Sequence, residues 1–227
     1  MSKRFFVTGT DTEVGKTVLT VALIKAAQKA GHTAIGCKPV SAGCDVVDGQ
    51  WQNEDAVAIR EAGSVPLSYE QVNPVALIEA MAPHIAAESE GVTLNADMLA
   101  KHIDGLPEAD YTFIEGAGGW LVPLNDDETL ADVATAIQTP VIMVTGLRLG
   151  CINHSLLTVE AIRAAGLKLA GWIGNCVDPD MVARESNIAT LRQQIDAPLI
   201  GIVPWMGTYD LDQVIAELDF SILEAQL

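Results

Sequence analysis

The stretch Gly9-Thr10-Asp11-Thr12-Glu13-Val14-Gly15-Lys16-Thr17 constrains this chain more than any other. It follows a short apolar run, Phe5-Phe6-Val7, and opens into the helical pattern Val18-Leu19-Thr20-Val21-Ala22-Leu23-Ile24. A glycine-cornered turn between strand and helix directs backbone N–H groups at an anion, and the helix dipole adds partial positive charge there. In a phosphate-binding loop the lysine neutralises β- and γ-phosphate oxygens and the next hydroxyl ligates Mg²⁺. Lys16 and Thr17 stand in those two places. Five residues separate Gly9 from Gly15, one more than the roughly four of the usual pattern. The loop implies binding of a nucleoside triphosphate.

Apolar strand-like runs alternate with helical patterns along the rest of the chain. Strands are predicted at Arg4–Thr8, Thr33–Val40, Tyr111–Glu115, Val141–Thr145, Leu169–Gly174 and Leu199–Val203. Helices are predicted near Lys16–Ala30, Glu54–Ala62, Asn95–Asp104, Leu130–Ile137, Asn153–Ala165, Val182–Ile195 and Leu211–Ala225. A run such as Val141-Ile142-Met143-Val144 is apolar on both faces, as a central parallel strand covered by helices must be. The alternation with right-handed crossovers gives a doubly wound, mostly parallel sheet in a P-loop NTPase-like α/β/α sandwich of three layers. Residues 64–90 are less regular and carry Pro66, Pro74 and Pro83. No linker, low-complexity tract or repeat divides the sequence, so one domain is expected over residues 1–227.

Thirty acidic residues against 13 Lys and Arg give a net charge of −17. Phosphate backbones demand basic surfaces, which argues against DNA or RNA as a partner. No apolar run reaches the ~18–20 residues of a membrane span. The N-terminal Met1-Ser2-Lys3-Arg4 leads straight into strand and loop, and cleavage of a signal peptide there would destroy the loop. Cys37, Cys44, Cys151 and Cys176 form no C-x-x-C pair and read as reduced thiols. A cytoplasmic location is the expectation.

Two charged residues sit where strands end, the edge at which such sheets bind ligands, and a third lies near a helix start. Lys38, in Cys37-Lys38-Pro39-Val40, emerges from an apolar strand and is fixed by the following proline. It is placed either to stabilise charge developing on a transferred phosphoryl group or carboxylate, or as an ordinary strand-end lysine. Glu115 closes the strand Tyr111-Thr112-Phe113-Ile114-Glu115 ahead of Gly116-Ala117-Gly118-Gly119. An acid closing an apolar strand in a P-loop protein is the expected Mg²⁺ partner, and the glycines permit close backbone approach. Asp55 is either a second metal carboxylate or a first-turn acid complementing the helix dipole. His84 and His154 read as polar packing residues.

Together, Gly9–Thr17, Lys38-Pro39-Val40, Glu115-Gly-Ala-Gly-Gly119 and Gly150-Cys-Ile-Asn-His154 resemble the dethiobiotin synthetase family. The likeness runs from the phosphate loop to Val203-Pro204-Trp205, and the four motifs are specific jointly rather than singly. The resemblance implies an ATP- and Mg²⁺-dependent ligase of biotin biosynthesis. Such an enzyme carboxylates 7,8-diaminononanoate with CO₂, phosphorylates the carbamate, and closes the ureido ring to dethiobiotin, releasing ADP and phosphate. Lys16 and Lys38 become its catalytic cations. The resemblance assigns ATP to Glu13, Val14, Gly15, Lys16, Thr17 and Val18, with Gly116, Ala117 and Gly118 nearby. It assigns Mg²⁺ to Thr17, Asp55 and Glu115. Asn175 matches the family's adenine-recognising asparagine, and Cys176, Pro204, Trp205 and Met206 complete that pocket. Diamine contacts fall to Thr12, Lys16, Lys38, Ser41 and Gly118. Gly150, Cys151 and Asn153, at a helix start, hold the substrate's distant carboxylate from the other subunit of a homodimer.

One departure concerns the diamine. The family places a hydroxyl residue two positions after Lys-Pro-Val, followed by glycine. Here the order is Ser41-Ala42-Gly43, moving the hydroxyl by one. Partitioning ATPases share the sandwich but carry an extra lysine early in the loop and a basic surface or tail. Thr10-Asp11-Thr12 offers no such lysine, and residues 211–227 contain neither Lys nor Arg.

Overall fold

The computed structural model describes residues 2–226, so Met1 and Leu227 of the expected domain lie outside it. Six strands form one parallel sheet in the order β10-β9-β8-β1-β7-β2. They are β1 (Lys3–Gly9), β2 (Ala34–Cys37), β7 (Tyr111–Glu115), β8 (Val141–Leu147), β9 (Leu169–Cys176) and β10 (Leu199–Val203). Alternate side chains point to opposite faces. Phe5 and Val7 of β1 join one hydrophobic core, whereas Phe6 joins the other. Ile142 and Val144 of β8 face the first core, and Val141 and Met143 the second.

Helices cover both faces. The core beneath Phe5 and Val7 takes side chains from α1 (Lys16–Lys29), α2 (Glu54–Ala62), α3 (Tyr69–Val72), α9 (Leu211–Ala216) and α10 (Ser221–Glu224). The core beneath Phe6 takes them from α4 (Pro83–Glu90), α5 (Ala96–Asp104), α6 (Leu130–Ala136), α7 (Cys151–Ala164) and α8 (Arg184–Gln194). Strand β1 lies between β7 and β8, where the winding reverses, and its carboxyl end opens onto the crevice in which such folds bind ligands.

Two expected elements are shorter than their hydrophobic patterns suggested. The run Thr33–Val40 is not one strand: β2 stops at Cys37, and Val40–Ala42 forms β3, which pairs with β6 (Val75–Leu77) in a separate sheet. Pro39 has no N–H for a ladder, so the chain leaves the main sheet at Lys38. The expected helix Leu211–Ala225 divides into α9 and α10 because the Asp219 N–H donates to the Ile200 carbonyl at 2.8 Å and Leu218 bridges Gly201. A Cβ on Gly201 would lie 2.2 Å from the Glu217 carbonyl oxygen, so only glycine admits that return. The irregular stretch 64–90 holds α3, β6 and α4, with Pro83 at the first turn of α4. The exposed hairpin β4 (Asp45–Val47) and β5 (Gln50–Gln52) turns at Asp48-Gly49, both with positive φ.

Candidate active site

The phosphate loop leaves β1 at Gly9 and enters α1 at Lys16. Gly15 has φ 87°, and a Cβ there would sit 2.2 Å from Asn175 Nδ2. Among the described residues no side chain caps α1, so its first N–H groups remain available to an anion. Val14 turns its side chain into the core. The Lys16 ammonium donates to the Asp11 carbonyl at 3.3 Å. Burial lowers its pKa to about 8, against the opposing pull of Glu115.

Beside the loop, one cluster, buried at Lys38 and Glu115, draws on four elements. Lys38 follows β2, Asp55 lies in the first turn of α2, Glu115 ends β7 and Thr17 lies in the first turn of α1. The Lys38 ammonium donates to Asp55 Oδ2 at 2.6 Å and to Glu115 Oε1 at 2.7 Å. The Thr17 hydroxyl donates to the same Glu115 oxygen at 2.9 Å. Lys38 is 5% exposed and Glu115 0%. Burial opposes the charge on Lys38, but Glu115 and Asp55 outweigh it and hold its pKa above the ordinary lysine value. Burial likewise opposes ionisation of Asp55, but the charge and hydrogen bond of Lys38, with Thr17 and Lys16 adding to them, hold its pKa below the ordinary carboxylate value. Glu115 Oε2 is buried without a hydrogen-bond partner among the described residues.

A cleft of about 710 Å³ joins loop and cluster. Its walls include Thr12, Glu13, Gly15, Lys16, Thr17 and Val18 from the loop and α1, with Lys38, Ser41, Asp55, Ala117 and Gly118 facing them. Glu115 lies beneath, reached through Thr17 and Lys38. Gly116 packs toward Phe6 of the core rather than into the cleft, where a Cβ would lie 3.1 Å from that ring. Ser41 is buried, and its hydroxyl donates to Asn73 Oδ1 at 2.8 Å. Ala42 lines the cleft beside it.

The remaining expected residues lie outside this cleft. Asn175, at the end of β9, reaches the loop from behind, and its Nδ2 donates to the Val14 carbonyl and to the Tyr209 hydroxyl, each at 2.9 Å. Its Oδ1 is buried without a hydrogen-bond partner among the described residues. Cys176 is a buried free thiol, while Pro204, Trp205 and Met206 follow β10 in the segment leading to Tyr209. Gly150, Cys151 and Asn153 begin α7, Gly150 with φ 97° and Cys151 buried.

Sequence reasoning missed Tyr209 and Arg148. Arg148 pairs with Asp11 of the loop, and Asp11 in turn accepts from the Thr12 N–H at 2.8 Å. The Arg148–Asp11 pair spans 137 positions and the Asn175–Tyr209 bond 34, so no local pattern marks either. Asn73 and Tyr69 were also missed; the Asn73-Pro74 step signals a turn and nothing more.

A family profile described as "AAA domain" matches residues 3–211. The chain is 51% identical over 225 residues to the ATP-dependent dethiobiotin synthetase BioD of Cellvibrio japonicus (strain Ueda107), covering 98% of this chain and 99% of that protein. It is 47% identical to the protein of that name from Aromatoleum aromaticum, with 95% and 96% covered. Among solved structures, the MinD cell division protein of Aquifex aeolicus superposes with a TM-score of 0.56 at 15% identity, covering 100% of this chain and 91% of that one. The septum site-determining protein MinD of Pyrococcus horikoshii OT3, complexed with Mg-ADP, gives 0.56 at 16% identity, with 99% and 90% covered. At such low identity these two establish the shared fold alone.

Proposed function

This chain belongs to the dethiobiotin synthetase family, and on that premise we propose that it performs ATP-dependent dethiobiotin synthesis at the cleft between the phosphate loop and Lys38. The observation that carries this reading is the Lys38 ammonium, buried between two carboxylates and facing the loop lysine across one cleft. An anionic carbamate and a triphosphate repel each other, and this is where cations are needed between them.

In the proposed reaction one amine of 7,8-diaminononanoate attacks CO₂, forming an N–C bond and losing a proton. A carbamate oxygen attacks the γ-phosphorus of ATP, breaking the bond to ADP. The second amine attacks the carbonyl carbon of the mixed anhydride and loses a proton, and phosphate leaves as the ring closes. The loop N–H groups and Lys16 bind the phosphates, Thr12 and Gly118 orient the diamine, and Lys38 offsets charge on the transferred group. Ring closure is intramolecular, so positioning supplies much of its rate. A buried Asn175 Oδ1 without a partner suits the exocyclic amine of adenine.

The residues also fit Mg²⁺. Thr17, Asp55 and Glu115 supply hard oxygen ligands, and the orphaned Glu115 Oε2 is an acceptor short of a partner. When bound, the ion neutralises charge on the β- and γ-phosphate oxygens. Asp55 is the only one of the three whose position a helix-start acid explains equally well. Asp55→Asn should therefore raise the Mg²⁺ concentration needed for ring closure, measured by titrating the metal at saturating ATP. An unchanged metal dependence removes Asp55 from the set.

A homodimer with shared sites is part of the proposal. Gly150, Cys151 and Asn153 do not line the cleft of their own chain, and Leu149 and Leu157 beside them are 91% and 62% exposed. A second copy would cover these side chains while bringing the α7 N-terminus to the partner's substrate.

The test is direct: purified protein, diaminononanoate, bicarbonate, ATP and Mg²⁺ should yield dethiobiotin, and ATP consumption without that product would overturn the assignment. The Ser41-Ala42 order gives a finer check. With the Ser41 hydroxyl committed to Asn73, Ala42→Ser should restore a cleft hydroxyl and tighten diamine binding by about 1 kcal/mol, one neutral hydrogen bond. Calorimetric titration of the diamine measures it, and a large loss of affinity would show the loop to be built around Ser41.

A further inference from the structure

Lys38 is held at both ends. Its side chain meets Asp55 and Glu115, while its backbone is tied to the C-terminal end of α3: the N–H donates to the Val72 carbonyl at 2.8 Å, and the carbonyl accepts from Asn73 Nδ2 at 2.6 Å. Strand β2 has ended and Pro39 offers no donor, so that buried carbonyl depends on Asn73.

The Asn73 amide is fully used. Its Nδ2 faces two carbonyls, those of Lys38 and, at 3.3 Å, Val75. Its Oδ1 accepts from two hydroxyls, Ser41 at 2.8 Å and Tyr69 at 2.9 Å. Two carbonyls on one side and two hydroxyls on the other leave a single orientation for the amide. Having given its proton to Asn73, the Tyr69 oxygen accepts from the Asn53 N–H at 2.7 Å. Asn53 is the N-cap of α2, and two residues further on Asp55 receives the Lys38 ammonium.

The hydrogen bonds thus close a ring: Lys38 carbonyl, Asn73, Tyr69, Asn53, the first turn of α2, Asp55, and back to Lys38 through its ammonium. Ser41, Asn53, Tyr69 and Asn73 are all buried, so water cannot replace a lost member. We infer that Asn73 and Tyr69, supported by Ser41, are positioning residues that fix the Lys38 ammonium against Asp55 for the reaction. The same ring gives Ser41 a task in this chain: its hydroxyl completes Asn73 instead of meeting substrate. The inference rests on the proposed role of Lys38 in turnover.

A double-mutant cycle separates the two. Tyr69→Phe keeps the ring and removes one hydroxyl. It should lower turnover on the order of 10-fold, the scale on which groups supporting a site residue act, with KM for ATP unchanged. In a Lys38→Ala background the same substitution should make no further difference, because a residue acting through Lys38 has nothing left to position. A merely structural role would instead lower turnover by the same factor in both backgrounds, which overturns the inference. Wild-type turnover in folded Tyr69→Phe, with Lys38→Ala impaired, overturns it as well and leaves the role of Lys38 standing. Normal turnover in Lys38→Ala itself defeats the reading of Lys38, and the positioning inference with it. If Tyr69→Phe does not fold, Ser41→Ala removes the other donor to Asn73 Oδ1 and carries the same expectations.

Discussion

Lys38→Ala should reduce dethiobiotin formation on the order of 10²–10³-fold, the loss seen when one preorganised charge-stabilising donor is removed from an active site. ATP affinity should fall far less. The loop N–H groups, the α1 N-terminus and Lys16 remain, and Lys38 lies across the cleft from them. Because Glu115 and Asp55 hold the Lys38 pKa above the ordinary value, the wild-type residue stays charged across the neutral range. The variant carries a second signature. Its two carboxylates lose their shared counterion, and Glu115 is wholly buried. Stranding a buried charge costs about 3–5 kcal/mol, and the lower end applies here because the Asp55 side chain is 36% exposed. The variant should therefore melt earlier and regain part of the difference when Mg²⁺ and nucleotide are added, since a bound cation restores the missing charge. Product formation, ATP titration and thermal melting check these in turn. Near-normal turnover would make Lys38 an ordinary strand-end lysine.

The sheet was legible wherever the chain signals locally. Tyr111–Glu115 is a strand at the residues its apolar run marks, because a central parallel strand is buried on both faces and needs no alternation, and the edge strand Leu199–Val203 also coincides with its apolar run. The phosphate loop was legible for the same reason: its glycines, lysine and hydroxyl are contiguous. Where pattern failed, a distant partner decided. The apolar run through Val40 concealed the break at Pro39, and the route taken afterwards depends on pairing with Val75–Leu77, thirty-five residues on at Val40↔Val75. The helical pattern of the tail yielded to hydrogen bonds with β10. Asp48-Gly49 was a hairpin signal in principle, yet the flanking strands are too short and exposed to show alternation. In the site, the residue types were readable and their contacts were not: Lys38 to Glu115 spans 77 positions and Asn175 to Val14 spans 161.

Mixing two inactive variants should restore about a quarter of wild-type activity if the sites are shared between subunits. Lys16→Ala removes the loop cation and should be inactive alone. Asn153→Glu places a negative charge at the α7 N-terminus, where the proposal puts the substrate's distant carboxylate. Asn153 is exposed in the single chain, and an acid in a first helical turn complements the dipole, so the helix itself should form. In a mixed dimer one site draws Lys16→Ala from one chain and Asn153→Glu from the other, inheriting both lesions. The second site draws its loop and its helix start from the unmodified parts of each chain and is intact. Random pairing of equal amounts makes about half the dimers mixed, each with one working site of two, which gives roughly a quarter of full activity. Subunit exchange or co-refolding, with mixed dimers verified by differently tagged chains and the product assayed, measures this directly. Leu149 and Leu157 supply an independent arm: replacing both with lysine should yield monomers that still bind ATP at the loop but form no product. Verified mixed dimers without recovered activity would mean that each chain holds a complete site, leaving Gly150, Cys151 and Asn153 without the substrate role proposed for them.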